Sequence, residues 1–182
     1  PKAGTKMFAP ARSVTKLPPK VDLRKKMTTV ENQESLGNCT ANAVAGAYEY
    51  LVKAHKGIED YDVSRLFIYY NAREIDGTIE EDAGSVIASA IQSLQEKGAC
   101  SEETWPYEIE KFTEEPPEEA YEEASSFIVE DVQAVPVDLE DWKTALAEGN
   151  PIIFGLKLYS TFDSQKNHYV SSTSFFNSFL ET

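Results

Sequence analysis

Residues 30–43 read VENQESLGNCTANA, and their reading decides the fold. Gly37 and Asn38 make a turn, and from Cys39 onward the chain takes up helical spacing, with Val44, Ala47, Tyr48, Leu51 and Val52 on one apolar stripe. Asn38 suits an N-cap and Gly57 a left-handed stop, so a helix is expected over Cys39–Lys56. A thiol at the first helical position feels the partial positive charge of the helix N-terminus and its unpaired N–H groups. Both favour thiolate, the nucleophilic form. Gln33, six residues upstream on the incoming loop, can swing its amide beside the sulfur. That amide and the backbone N–H of Cys39 would together hold an oxyanion. A free cysteine is ordinarily a small buried hydrophobe. The glutamine, the glycine turn and the helix start together reverse that reading.

Working outward, a second helix is expected over 63–74, with Leu66, Phe67, Tyr69 and Tyr70 inward. A third is expected over 83–97, with Val86, Ile87, Ala90, Ile91 and Leu94 on its apolar face and Gly98 stopping it. Residues 104–124 read as a loop followed by a short acidic helix. FIVEDVQAVPV (127–137) then has β-branched residues at strand density, residues 138–148 read as a helix closed by Gly149, and PIIFGLKLY (151–159) reads as a buried strand. Helices first and strands after give an α+β arrangement. It divides into a basic extended arm (1–17), a helical lobe (18–125), the start of a β-rich lobe (126–163) and a tail (164–182) unlike the rest. NHYVSSTSFFNSFLET carries four Ser and three Phe with no charge before Glu181.

Formal net charge is −14 over 182 residues, unevenly spread. Residues 1–26 hold eight of the 17 Lys and Arg, whereas residues 101–150 hold 16 of the 31 acids. The acidic half is either a solvated face or the surface on which the basic arm docks. An acidic domain repels phosphate, so a nucleic-acid partner is disfavoured. No apolar run is long enough for a membrane span. No leader is visible in the first twenty residues, which leaves the compartment open, and few cysteines suit a reducing one. Cys39 and Cys100 with two histidines fall short of a zinc site, so neither metal nor organic cofactor is expected. A thiol redox role lacks a resolving cysteine near Cys39.

Gln33 followed by Gly37-Asn38-Cys39-Thr40-Ala41 resembles the active-site loop of papain-like cysteine peptidases. It is most similar to the bacterial and archaeal branch, with Gly-Ser-Cys-Thr-Ala, rather than to plant and lysosomal members, with Gly-Ser-Cys-Trp-Ala. LPPKVDLRKK (17–26) resembles the lead-in to the mature domain, and DVSRLFIYYNARE (62–74) its second helix. EEDAGSVIASAIQSLQEKGACSEETWPYE (80–108) is similar to that branch's Asp-x-Gly-Ser helix and Trp-Pro-Tyr turn, and GNPIIFGLKLYSTF (149–162) to the first long strand of the second lobe. The resemblance spans about residues 17–163. It implies a two-lobed papain-like fold whose strand-rich second lobe is incomplete, with Gly84 and Ser85 lining the substrate cleft. It also implies a peptide or protein substrate hydrolysed through a Cys39 thioester. Asn38 stands where the family usually has Ser, and Leu36 where many members have a disulfide cysteine. Cys100, without an evident partner, reads as a buried thiol.

The family's base is a histidine oriented by an asparagine. His168 follows Cys39 by 129 residues, near the family interval, but its neighbours Asn167 and Tyr169 and its closeness to Pro151 are unlike the family setting. Asn177 before Ser178 and Phe179 is a faint echo of Asn-Ser-Trp. His55 lies sixteen residues along the nucleophile's own helix, roughly 24 Å away at 1.5 Å per residue, and is excluded. Two readings therefore stay open. One is a cysteine endopeptidase using Cys39, Gln33, His168 and Asn177. The other is a catalytically incomplete homologue that binds or assembles. An uncovered 151–159 strand edge leaves room for self-association or a second chain.

Overall fold

The computed structural model describes residues 6–10, 16–59 and 61–157. His168, Asn177 and the Ser/Phe-rich tail lie outside the described residues. Three helices form the core: α1 (Cys39–Lys56), α2 (Arg65–Asp76) and α3 (Ile87–Glu96). α2 is central. Leu66, Phe67, Ile68, Tyr69 and Ala72 are fully buried, as expected of a helix enclosed on all sides. It presents these residues to Val44, Ala45 and Tyr48 of α1 and to Ala90 and Leu94 of α3, which share one apolar cluster with it. Each buried Leu, Ile or Phe contributes about 1.5–3 kcal/mol. Two shorter helices follow, α4 (Glu118–Ala124) and α5 (Leu139–Ala147), and a two-residue strand pair, β1 (Lys6–Met7) with β2 (Gln133–Ala134).

Local chemistry explains the boundaries. Gly57 ends α1 in the left-handed conformation, as expected. Asn38 precedes α1 but its side chain does not cap it. Its Oδ1 instead accepts from Tyr107 Oη and Asn42 Nδ2, both at 3.0 Å, because Asn38 is buried and the tyrosine hydroxyl reaches it first. α2 starts two residues later than the periodicity suggests. Ser64 caps it, accepting from the Phe67 N–H at 3.1 Å and donating to the Trp105 carbonyl at 2.6 Å.

α3 also starts later than expected. Residues 83–86 form a loop because Gly84 is left-handed (φ +73°) and Asp76 captures the Val86 N–H (3.1 Å) and the Ser89 hydroxyl (2.5 Å). Val86, expected on the apolar face, is 59% exposed. Gly98 then turns away at φ +77°, and a Cβ there would meet the Ala124 carbonyl oxygen at 2.0 Å, so no other residue fits. The close approach seats α4 on the end of α3.

β1 and β2 run parallel, Lys6 opposite Gln133 and Met7 opposite Ala134. Phe8 donates to Ala134 O, and Lys6 Nζ lies 3.3 Å from Asp131. Part of the basic arm thus lies on the acidic half. Residues 151–157 belong to no strand, contrary to the expectation over 151–159, whose last two residues lie outside the described residues. Pro151 has no N–H to donate to a ladder. Phe154 packs instead on Trp142 of α5, ring centres 5.3 Å apart. α5 itself is capped as its sequence indicates, Asp138 accepting from the Glu140 and Asp141 N–H groups.

Candidate active site

Cys39 opens α1 with its thiol exposed, whereas Cys100 is fully buried beneath the helical lobe. Both thiols are free. Burial pushes the Cys100 thiol up to about 12, with the nearby Glu123 carboxylate adding to the rise. Thiolate is the reactive form. Iodoacetamide is therefore expected to label Cys39 at least about tenfold faster than Cys100. Peptide mapping by mass spectrometry reads this, and equal or reversed labelling would remove Cys39 as the nucleophile.

Gln33 sits half-buried on the loop into α1. Its Nε2 donates to the Leu36 carbonyl at 2.7 Å. An amide nitrogen carries two hydrogens, so this bond fixes the side chain and leaves one donor to aim elsewhere. Leu36 is 5% exposed and belongs to the core cluster. An apolar anchor here does what a cross-link would otherwise do for the loop.

Behind the loop stands a group that sequence reading did not find. Tyr107 Oη donates toward Gln33 O (2.8 Å) and Asn38 Oδ1 (3.0 Å). Arg65, 6% exposed, lies over the Tyr107 ring at 3.9 Å and donates to Asn32 O (3.1 Å) and Asn42 Oδ1 (3.3 Å), with Glu31 at 3.6 Å and Glu102 at 3.9 Å. Arginine and tyrosine together hold the backbone on both sides of Gln33. The Trp-Pro-Tyr turn contained the signal, but nothing local in it points to residue 33.

Glu102 is the electrostatic oddity of this group. It accepts from the Tyr107 N–H, yet its Oε2 is buried without a partner. Burial pushes the carboxyl up to about 7 from an ordinary 4.5, despite the Tyr107 N–H and Arg65 that lower it. The folded protein thus holds this proton more tightly than the unfolded chain. Stability from this group is complete below 4.5 and lost as pH rises through about 7. Glu102→Gln is expected to remove that dependence. Relative to wild type it should gain about 3 kcal/mol between pH 4.5 and 8 in urea melts. Parallel pH profiles for the two proteins would contradict the assignment.

Gly84 and Ser85 face the loop that leads into Cys39 across a close gap. A Cβ on Gly84 would lie 3.3 Å from Gly37 O, and Thr40 Oγ1 donates to Ser85 O at 2.9 Å. The two residues also line a pocket of about 420 Å³ with Asp76, Thr78, Ala83 and Val86. Cys39, Gln33, Gly84 and Ser85 therefore belong to one neighbourhood built by α1, the loop before it and the loop before α3. His55 is exposed in the last turn of α1, as its spacing indicates. Among the described residues no group of His, Cys, Asp and Glu is arranged to hold a metal ion, and no helix is long and apolar enough to cross a membrane.

Comparison with known proteins places the chain in a family. A family model described as papain family cysteine protease matches residues 17–178. An uncharacterized peptidase C1-like protein of Acanthamoeba polyphaga mimivirus is 38% identical over 159 residues, covering 79% of this chain and 50% of that protein. The chain thus spans about half the length of that curated relative. Xylellain, a cysteine protease from Xylella fastidiosa, superposes with a TM-score of 0.72 at 33% identity, over 80% of this chain and 59% of its own. Digestive procathepsin L 3 of Tenebrio molitor larval midgut gives a TM-score of 0.56 at 19% identity, over 81% of this chain and 47% of its own, a likeness of fold.

Proposed function

Because this chain belongs to the papain family of cysteine proteases, we propose that it hydrolyses peptide bonds as an endopeptidase through a thioester on Cys39. The observation that carries this reading is the exposed Cys39 thiol at the first position of α1, with the Gln33 amide held on the adjoining loop. The thiolate attacks the scissile carbonyl, and the Gln33 amide and Cys39 N–H take the oxyanion. The C–N bond breaks as the amine leaves with a proton from the base. Water, giving its proton to the same base, then cleaves the thioester and releases the acid. His168 is proposed as that base and Asn177 as its orienting partner, on sequence interval alone. Gly84 and Ser85 are proposed to receive the substrate backbone on the acyl side.

A fluorogenic peptide assay tests this directly. Turnover abolished by one equivalent of iodoacetamide on Cys39 is the expected result. A folded protein that binds peptide without turnover would instead support the second reading, a non-catalytic homologue. That reading draws on one fact, that the single histidine among the described residues, His55, lies at the far end of α1.

A further inference from the structure

The Asp-x-Gly-Ser stretch holds a carboxylate that the mechanism above does not use. Asp82 reaches across the cleft floor and accepts the Gly37 N–H with both oxygens, each at 3.0 Å. Tyr69, from the buried face of α2, donates its hydroxyl to the same carboxylate at 2.5 Å and accepts the Gly84 N–H at 3.1 Å. One carboxylate and one hydroxyl thereby join three segments: the nucleophile loop, the central helix and the loop carrying Gly84 and Ser85. Geometry leaves little slack. A Cβ on Gly37 would lie 3.2 Å from Asp82 Oδ1, and one on Gly84 would lie 3.3 Å from Gly37 O. Gly84 also needs its left-handed backbone (φ +73°) to present its N–H to Tyr69.

The clasp has its own footing. Arg73, fully buried, donates to the carbonyls of Ile79, Glu81 and Phe112 and stacks on Tyr69, its guanidinium 4.1 Å from the ring centre. The loop that carries Asp82 is thus fixed to α2 from behind. Burial, aided by the bond to Asp82, pushes the Tyr69 hydroxyl up to about 12, which keeps it a proton donor at physiological pH.

We propose that Asp82 and Tyr69 are positioning residues that set the distance between Cys39, two residues beyond Gly37, and the wall on which the substrate backbone lies. This role rests on the peptidase reading of Cys39. A reacting carbonyl displaced by about 1 Å from the sulfur costs on the order of 100-fold in rate. Loss of the clasp therefore weakens reactions that use the wall and spares those that do not.

The test compares two alkylating agents at Cys39 in the full chain: iodoacetamide, which needs no wall, and a blocked tripeptidyl chloromethyl ketone, which does. The readout is the ratio of their second-order rate constants, peptidyl over small. Asp82→Ala removes a charge-assisted bond and should lower the ratio about 10- to 100-fold. Tyr69→Phe keeps the buried ring, removes one hydroxyl, and should lower it roughly 3- to 10-fold. Asp82→Asn, which still accepts from Gly37, should fall less than the alanine variant. Iodoacetamide rates should stay within about twofold throughout, a result that a merely unfolded loop would not give. An unchanged ratio in both Asp82→Ala and Tyr69→Phe would overturn the clasp, and Tyr69→Phe decides the matter if Asp82→Ala does not fold. Wild type that prefers the peptidyl reagent but hydrolyses no peptide would sink the peptidase reading while the variant ratios still judge the clasp. Wild type with no peptidyl preference would sink both.

Discussion

Replacing Cys39 with alanine is expected to lower kcat/KM for a fluorogenic peptide by about 10⁴-fold or more, down to what binding and oxyanion donors sustain without a nucleophile. The expectation follows from where the thiol sits. It is exposed at the first position of α1, so truncation uncovers no core, and alanine is the best helix former for that position. Folding should be untouched and the urea midpoint unchanged. The loss must then be chemical, falling on kcat with little change in KM. Residual turnover within about tenfold of wild type would mean that another group attacks the carbonyl. Cys100 cannot substitute, since it is buried and its thiol is held protonated well above neutrality.

The second large effect is expected at Gln33. Gln33→Ala should lower kcat/KM by about 10²–10³-fold, the usual cost of one oxyanion donor. The side chain is half-buried and among the described residues its bond goes to the Leu36 carbonyl, so stability should fall by no more than about 1 kcal/mol. Alkylation of Cys39 by iodoacetamide passes through no oxyanion and should proceed at the wild-type rate. That pairing separates loss of the donor from collapse of the loop. An unchanged rate of peptide hydrolysis would take Gln33 out of the mechanism. A parallel fall in alkylation would show that Gln33 acts by holding the loop in place.

Cys39 and the helix it opens could be placed from sequence because their signals are local. A glycine turn, a cysteine and an uninterrupted 3.6-residue period lead to a glycine in the left-handed conformation, and α1 spans the expected residues. Where the signal depended on a distant partner, the reading shifted. Val86 has the right spacing to continue the apolar face of α3. Asp76, ten residues back, captures its N–H and makes it the first residue outside the helix. Asn38 has the right chemistry for a cap, but a tyrosine 69 residues away claims its oxygen. The strand expected from Pro151 needed a neighbour, and sequence does not show whether one is present.

The supports of the site were hidden for the same reason. Arg65 and Tyr107 grip the Gln33 backbone from 32 and 74 positions along the chain, the first through its neighbour Asn32. Asp82 meets Gly37 across 45 residues. Each of these residues reads in isolation as an ordinary surface charge or turn aromatic. Only the packing of α1 against α2 and α3 makes them part of the cleft. Cys39 is thus conspicuous by its local setting, whereas the residues bonded to its loop become conspicuous once the chain has folded.

The most direct measurement is to trap the acyl-enzyme. The full chain would be mixed with an activated peptide ester, quenched in acid within the first turnover, digested and mapped by mass spectrometry. The expected result is the mass of the acyl group on the peptide bearing Cys39, released by hydroxylamine and absent from the Cys39→Ala variant. Hydrolysis that proceeds with the acyl group on any other residue, or with none on Cys39, would contradict the thioester mechanism.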